Sequence, residues 1–320
     1  MKAVFYRQHG SAEVLEVGEL AIPEPGPEQV LVRVAAAGVN PIDRRLRSGE
    51  LQEYISRTFP VVPGWDFAGE IVALGTDVNS GWQAGDLVMG LAFTWSIQHG
   101  TYAEYVPVDA ASIAKVPEGF DLFQAAALPL VSLTAWQSIH EYGGLAQGQS
   151  ALIQAGAGGV GSVAIPMAKH LGARVYATCS TASMGYVSER GADVVIDYTQ
   201  QDYAQVLCDL EPEGLDVILE TLLGDGVPET AIGLAKDGGT VIFMNNEPPA
   251  LPEIEARGIR TQFLHHRPDG AMLAELADLY GQGILPAPPV EVLPLAAAVE
   301  AHQRSEHGHT RGKIVLAIGD

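Results

Sequence analysis

Ala151-Leu-Ile-Gln-Ala-Gly-Ala-Gly-Gly-Val-Gly161 is the stretch that decides how this chain is read. A short apolar run leads into Gly156, the glycines follow as Gly-x-Gly-x-x-Gly, and Ser162 to Leu171 has helical composition. Strand, glycine turn and helix in that order are what a dinucleotide diphosphate needs at a helix N-terminus. Gly156 allows a tight turn, Gly158 lets the backbone approach phosphate without a Cβ, and Gly161 lets the helix pack closely on the strand. The N–H groups around Gly159 and Val160, together with the positive end of the helix dipole, then hold the anion. The spacing alone discriminates poorly; between a strand and a helix it discriminates well.

Working outward, short apolar strands recur at βαβ spacing: Arg174–Thr178, Asp193–Ile196, Leu215–Leu219 and Thr240–Met244. Such a series predicts a parallel, doubly wound sheet. Upstream the texture differs. Gln29–Val34, Phe67–Leu74, Leu87–Gly90 and Tyr102–Val106 are strand-like runs separated by Gly and Pro, as in an irregular, mostly β domain. Downstream, Asp269–Tyr280 and Leu295–Arg304 read as helices and Lys313–Ile318 as a final strand. The fold class expected is therefore α/β, with a Rossmann-type sheet flanked by two pieces of a second domain.

Composition narrows the function. Thirty-nine acidic residues against 18 basic give a net charge of -21 over 320 residues, which opposes nucleic acid and anionic membranes as partners. No apolar run reaches the roughly 20 residues of a membrane span. The polar start, Met1-Lys-Ala-Val-Phe-Tyr-Arg-Gln-His9, reads as cytoplasmic. Cys179 and Cys208 are the only cysteines, so neither a disulfide framework nor a thiolate zinc cage is expected.

Several segments together resemble the medium-chain dehydrogenase/reductase superfamily, and within it the zinc-independent quinone oxidoreductase (ζ-crystallin-like) branch. They are Ala36-Ala-Gly-Val-Asn-Pro-Ile-Asp43, Pro63-Gly-Trp-Asp-Phe-Ala-Gly-Glu70, Gly100-Thr-Tyr-Ala-Glu-Tyr105, Leu128-Pro-Leu-Val-Ser-Leu-Thr-Ala-Trp136, Ala155–Gly161, Gly191–Tyr198 and Arg311-Gly-Lys-Ile-Val-Leu316, in the family's order. The resemblance implies a GroES-like catalytic domain over 1–124 and 263–320, and a Rossmann domain over 125–262. It also implies a homodimer joined along the Rossmann sheet edge, with Gly239–Asn245 and Ile259–His265 as candidate edges.

Zinc-dependent relatives carry Cys where this chain has Asn40 and His where it has Trp65, so no catalytic zinc is expected. Asn40 then offers an amide N–H to polarise the acceptor oxygen; as Asn-Pro it also suits a simple chain turn. Asp43 either caps the following helix or belongs to the site. Trp65 fills the volume left by metal and ligand, as a pocket wall or as core. Thr134 matches a threonine near the nicotinamide; otherwise its hydroxyl bonds back to the preceding turn. Arg45 stands where quinone-reducing relatives often have Tyr.

The second strand ends Tyr176-Ala-Thr-Cys-Ser180, without the carboxylate that accepts from an NAD ribose. Ser180 and Tyr198 match residues at the 2′-phosphate of NADPH-using relatives, so NADP(H) is the cofactor expected. The Lys that usually follows the serine is missing, and Arg311 or Lys313 would have to supply the cation. Thr221 and Asn245 complete the expected cofactor-binding set. His302, His307 and His309 read as a polar loop after a helix, and His265-His266 as an exposed strand end. The Tyr-x-x-x-Lys pair of short-chain dehydrogenases is absent. These readings converge on a reductase passing hydride from NADPH to a small-molecule quinone or conjugated carbonyl. An alkenal/enone double-bond reductase and a low-turnover NADPH-binding structural or sensing protein are the alternatives.

Overall fold

The computed structural model describes residues 1–78, 81–308 and 310–319. The chain divides into two compact units, Met1–Leu133 with Arg267–Asp320, and Thr134–His266. The expected boundaries, 124/125 and 262/263, fall short of these. The reason at the first is local: helix Leu122–Ala126 packs on the strands Gln29–Gly38 and Asp66–Leu74, and Leu130 N–H donates to Asp66 at 2.7 Å. Those contacts hold the segment to the first unit.

The second unit is a six-stranded, all-parallel sheet in the order Val194–Asp197, Arg174–Cys179, Ser150–Ile153, Leu215–Glu220, Ala235–Phe243, Arg260–Phe263. Chain direction across the sheet reverses beside Ser150–Ile153, which comes first in sequence but third in space. Open α/β sheets bind ligands at the C-terminal ends of the strands flanking such a switch point. All four residues of Ser150–Ile153 are buried, as befits a strand covered on both faces. Ala235–Phe243 lies between two strands, so the expectation that Gly239–Asn245 forms an edge is corrected. Arg260–Phe263 holds that position instead, within the expected Ile259–His265.

In the first unit a seven-stranded sheet runs Val290–Pro294, Lys313–Ala317, Gln29–Gly38, Asp66–Leu74, Leu87–Leu91, Ile113–Lys115, with Tyr105–Asp109 also paired to Gln29–Gly38. The register Val315↔Gly38 and the bond from Val39 N–H to Ile314 C=O set the start of the last strand beside Asn40. The strand expected at Tyr102–Val106 begins three residues later, at Tyr105. Tyr102 is instead held by Pro63 and Val4 through backbone bonds, which take it out of that ladder. The helix expected over Leu295–Arg304 is a short 3-10 turn, Leu295–Ala297, followed by an α-helix Ala298–His307. His302 and His307 are therefore helical, not in a loop; His302 is buried and shares a hydrogen bond with Arg47 at 2.9 Å. His309 lies outside the described residues. Among the described residues no helix is long and apolar enough to cross a membrane.

Candidate active site

The glycine turn sits at the switch point of the parallel sheet. Ala155 adopts the left-handed conformation, with φ 50°, and makes the turn. That corrects the assignment to Gly156, whose missing Cβ answers to packing: it would lie 3.1–3.2 Å from Ile165, Ala177 and Val187. Thr178 pins the turn, accepting from Ala155 N–H through its hydroxyl at 3.2 Å and from Gly156 N–H through its carbonyl at 2.8 Å. Gly158 is the N-cap of helix Gly159–His170, so the first-turn N–H groups, Gly159, Val160 and Gly161 among them, point out of the helix end. A Cβ on Gly161 would lie 2.4 Å from the Ala155 carbonyl oxygen, which is the close helix–strand approach read from the sequence.

Beside this turn lie polar atoms that the protein leaves unsatisfied. Gln154 is fully buried; its Oε1 accepts from Thr221 N–H at 3.1 Å, while its Nε2 and the Thr221 hydroxyl have no partner. Buried polar groups in native proteins are almost always paired, so orphans at a strand end are groups a bound ligand could satisfy. Asn245 Nδ2 donates to the Thr221 carbonyl at 2.7 Å, and Asn246 ties the fully buried Glu220 to the same loop. Burial holds the Glu220 carboxyl above its usual pKa. The Gly158 backbone, the helix end and these unpaired groups suit a dinucleotide.

Farther along the sheet, Ser180 caps a short 3-10 turn and Tyr198 is half exposed. A residue missed in the sequence lies between them. Asp197 pairs in register with Cys179 and accepts hydrogen bonds from the Thr181 and Thr199 hydroxyls, which hold its pKa low. A fixed negative charge therefore adjoins the strand end Tyr176–Ser180, which has no carboxylate of its own. Its signal in the sequence was the Asp197-Tyr198 pair itself.

Thr134 is buried and its hydroxyl has no partner; its carbonyl accepts from Ser138 Oγ at 2.7 Å. The bonding-back alternative is thus overturned, since Ser138 makes that bond and Thr134 does not. The helix Pro129–Trp136 continues as a π-helical stretch, Gln137–Tyr142, an irregularity frequent at functional sites.

In the first unit, Asn40, Asp43, Asp66, Tyr102 and Lys313 form one buried network. Asn40 opens helix Pro41–Ser48, and its backbone N–H donates to Asp43 Oδ2 at 2.8 Å, the reciprocal half of a capping box. Tyr102 Oη donates to the same oxygen at 3.2 Å, while Asp43 Oδ1 has no partner. Burial, followed by the nearby charge of Asp66, raises the Asp43 pKa to about 7, against the effect of the helix-cap bond. Its geometry is that of a cap.

Asn40 Nδ2 donates to Asp66 Oδ2 at 2.8 Å and Asn40 Oδ1 accepts from Lys313 Nζ at 2.5 Å, with the side chain 1% exposed. The amide nominated to polarise an acceptor is therefore engaged inside the protein, and that expectation is corrected. So is the one for Lys313. Its ammonium donates to Val39 C=O, Asn40 Oδ1 and Asp66 Oδ2 at 2.5–3.2 Å, which uses all three N–H bonds and leaves nothing for a 2′-phosphate. Arg311, two residues earlier, is exposed.

This donor set does not fit zinc. An amide and an indole stand where zinc-dependent relatives place ligands, and the available oxygens already hold an ammonium that a divalent ion would have to share. Trp65 is buried and packs edge-on to Phe93, with ring centroids 4.8 Å apart; Phe93 packs likewise on Trp95, which is 65% exposed. Arg45, in the last turn of helix Pro41–Ser48, pairs with Glu50 at 3.4 Å.

Comparison with known proteins agrees with this anatomy. Residues 26–118 match the family model described as the alcohol dehydrogenase GroES-like domain, and residues 190–316 match that described as zinc-binding dehydrogenase. A 2-methylene-furan-3-one reductase of Solanum lycopersicum is 33% identical over 99% of this chain and 79% of its own length. A chloroplastic NADPH-dependent alkenal/one oxidoreductase of Arabidopsis thaliana is 32% identical with the same coverage. The quinone oxidoreductase structure from Coxiella burnetii superposes with a TM-score of 0.88 at 32% identity, over 100% of this chain and 99% of that one. The chain belongs to the medium-chain dehydrogenase/reductase superfamily, in its quinone oxidoreductase branch, and has that branch's GroES-like and Rossmann folds.

Proposed function

We propose that this chain is a cytoplasmic reductase that passes a hydride from NADPH to a quinone or another conjugated carbonyl. The observation that carries the proposal is the glycine turn at the switch point, flanked by the unpaired Gln154 Nε2 and Thr221 hydroxyl. The first-turn N–H groups after Gly158 bind the diphosphate, and Thr134, Thr221 and Asn245 line the coenzyme's path. Ser180 and Tyr198 take the 2′-phosphate side. Bound NADPH supplies a hydride; a quinone takes it with one proton to give the hydroquinone, and an enone takes it at the β-carbon with a proton at the α-carbon.

Solvent is the source of that proton: Asp43, whose Oδ1 is the one unpaired oxygen of the Asn40 network, is fully buried. The preference for NADPH draws support from the coenzyme named for the Arabidopsis relative and from Ser180. The Asp197 carboxylate works against it. Following nicotinamide absorbance with 1,4-quinones and with 2-alkenals tests the whole reading. Oxidation of NADPH faster than NADH is expected, with either acceptor class. Faster turnover of alkenals, the class named for the Arabidopsis relative, selects the double-bond reductase. Tight NADPH binding with no oxidation selects the binding-protein alternative.

The reading extends to a homodimer joined along Arg260–Phe263, whose outer backbone groups form an open sheet edge. Light scattering is expected to give twice the chain mass. A monomeric mass at micromolar concentration removes the dimer from the proposal.

A further inference from the structure

The helix that follows the glycine turn carries a proline in its interior. Pro166 lies in helix Gly159–His170 and has no N–H to give the carbonyl four residues earlier, that of Ser162. The Ser162 carbonyl is buried in the turn of helix that carries the anion-facing N–H groups, and leaving it unsatisfied would strain that turn. Arg190 supplies the missing donor. Its Nε lies 2.7 Å from Ser162 O, its side chain is 8% exposed, and its guanidinium stands 5.9 Å from the Tyr186 ring centroid. On the same residue, Ser162 Oγ donates to Gly159 O at 2.8 Å, so the carbonyl that Arg190 grips and the first helical residue are tied together.

We infer that Arg190 is a positioning residue for the coenzyme: by replacing the hydrogen bond that Pro166 removes, it holds the first turn of the glycine helix in the geometry that receives a diphosphate. The inference rests on the coenzyme reading above and adds a residue from outside the glycine turn and its helix. The guanidinium does a second thing. In a chain of net charge -21 it sets a buried positive charge against the helix whose first turn meets the anion. Neither residue alone carries this. Their complementarity, one missing donor and one buried donor on a single carbonyl, carries the argument.

The test compares wild type with Arg190→Met, Arg190→Lys, Pro166→Ala and the double variant Pro166→Ala/Arg190→Met. Dissociation constants for NADPH and NADH are measured by fluorescence titration, with thermal midpoints read alongside. Arg190→Met is expected to weaken both coenzymes by about tenfold and equally, because the diphosphate is common to them. Pro166→Ala restores a backbone N–H to Ser162 O, so it leaves affinity unchanged and brings the double variant back to within about twofold of wild type. Arg190→Lys falls between. Turnover at saturating coenzyme stays constant while KM for coenzyme rises, a split that general destabilisation does not produce.

Wild-type affinity in Arg190→Met overturns the inference, as does a double variant as weak as the single one. If Arg190→Met alone is insoluble, the double variant decides: soluble and tight-binding supports the inference, insoluble or weak overturns it. Wild type that binds neither nicotinamide coenzyme removes the coenzyme reading and this inference together, a result distinct from normal wild-type binding with an indifferent Arg190.

Discussion

Lys313→Met is expected to destabilise the protein by about 3–5 kcal/mol at pH 8, the size of loss seen when one partner of a buried ion pair is removed. The ammonium is 3% exposed and Asp66, at 3.2 Å, is fully buried, so no water replaces the cation. Asp66 would keep only Asn40 Nδ2 and Leu130 N–H as partners. Burial already raises the Asp66 pKa with Lys313 present, the ammonium working against that shift. Without the ammonium the pKa rises further.

A carboxyl whose folded pKa lies above its unfolded value contributes its full stability at low pH and loses it as pH rises through the folded value. The Lys313→Met deficit is therefore smaller at pH 5 than at pH 8. Adding Asp66→Asn removes the stranded charge and is expected to recover more than half of the loss at pH 8. Urea midpoints at the two pH values measure all of this. A single variant within about 1 kcal/mol of wild type at pH 8 would show that Asp66 is neutral in the native protein and that the network is held by hydrogen bonds alone.

Lys313 also shows where the sequence stops being legible. The residues that form the fold announce themselves locally. Ala151 to Gly161 carries strand, turn and helix within one short run, and the parallel strands after it repeat at a spacing that leaves few other architectures. The buried network has no such locality. Asn40 meets Asp66 across 26 residues and Lys313 across 273, and only the register of the last strand against Gln29–Gly38 brings the three together. The family resemblance implies that Asn40 replaces a metal ligand, but not that its amide is engaged through both Nδ2 and Oδ1.

The same limit governs the smaller misses. Tyr102 has strand composition, yet its backbone partners are Pro63 and Val4, distant in sequence, so the ladder starts later. Ala155 holds the left-handed conformation that a glycine usually takes, because Thr178 on the neighbouring strand bonds both sides of the turn; the glycine beside it drew the assignment instead. The rule for NAD sites places a carboxylate at the end of the second strand. It arrives from the third, as Asp197, through lateral pairing that no local pattern encodes.

Gly158→Ala and Gly161→Ala are expected to part company, and the difference tests the coenzyme crevice without reference to any acceptor. A Cβ on Gly161 would stand 2.4 Å from Ala155 O and 2.7 Å from Gly156 Cα. Both are backbone atoms of the turn, so no side chain can swing aside, and relief requires the helix to withdraw from the strand. Overpacking of that kind costs about 1–3 kcal/mol, so Gly161→Ala loses both stability and coenzyme affinity.

Gly158 differs. A Cβ there meets only Ala155 O, at 3.3 Å, and its φ of -73° is open to any residue. Gly158→Ala should change stability by less than about 1 kcal/mol, the modest effect of exchanging glycine for alanine at an N-cap. Its effect on binding is larger, because the methyl group projects where phosphate oxygens must approach the backbone. A rise in the NADPH dissociation constant of about 100-fold, near 3 kcal/mol, is expected. Thermal melts and fluorescence titrations on the two variants separate the effects. Undiminished NADPH affinity in Gly158→Ala would mean that the diphosphate does not pass over this turn, and the crevice would have to be sought elsewhere on the sheet.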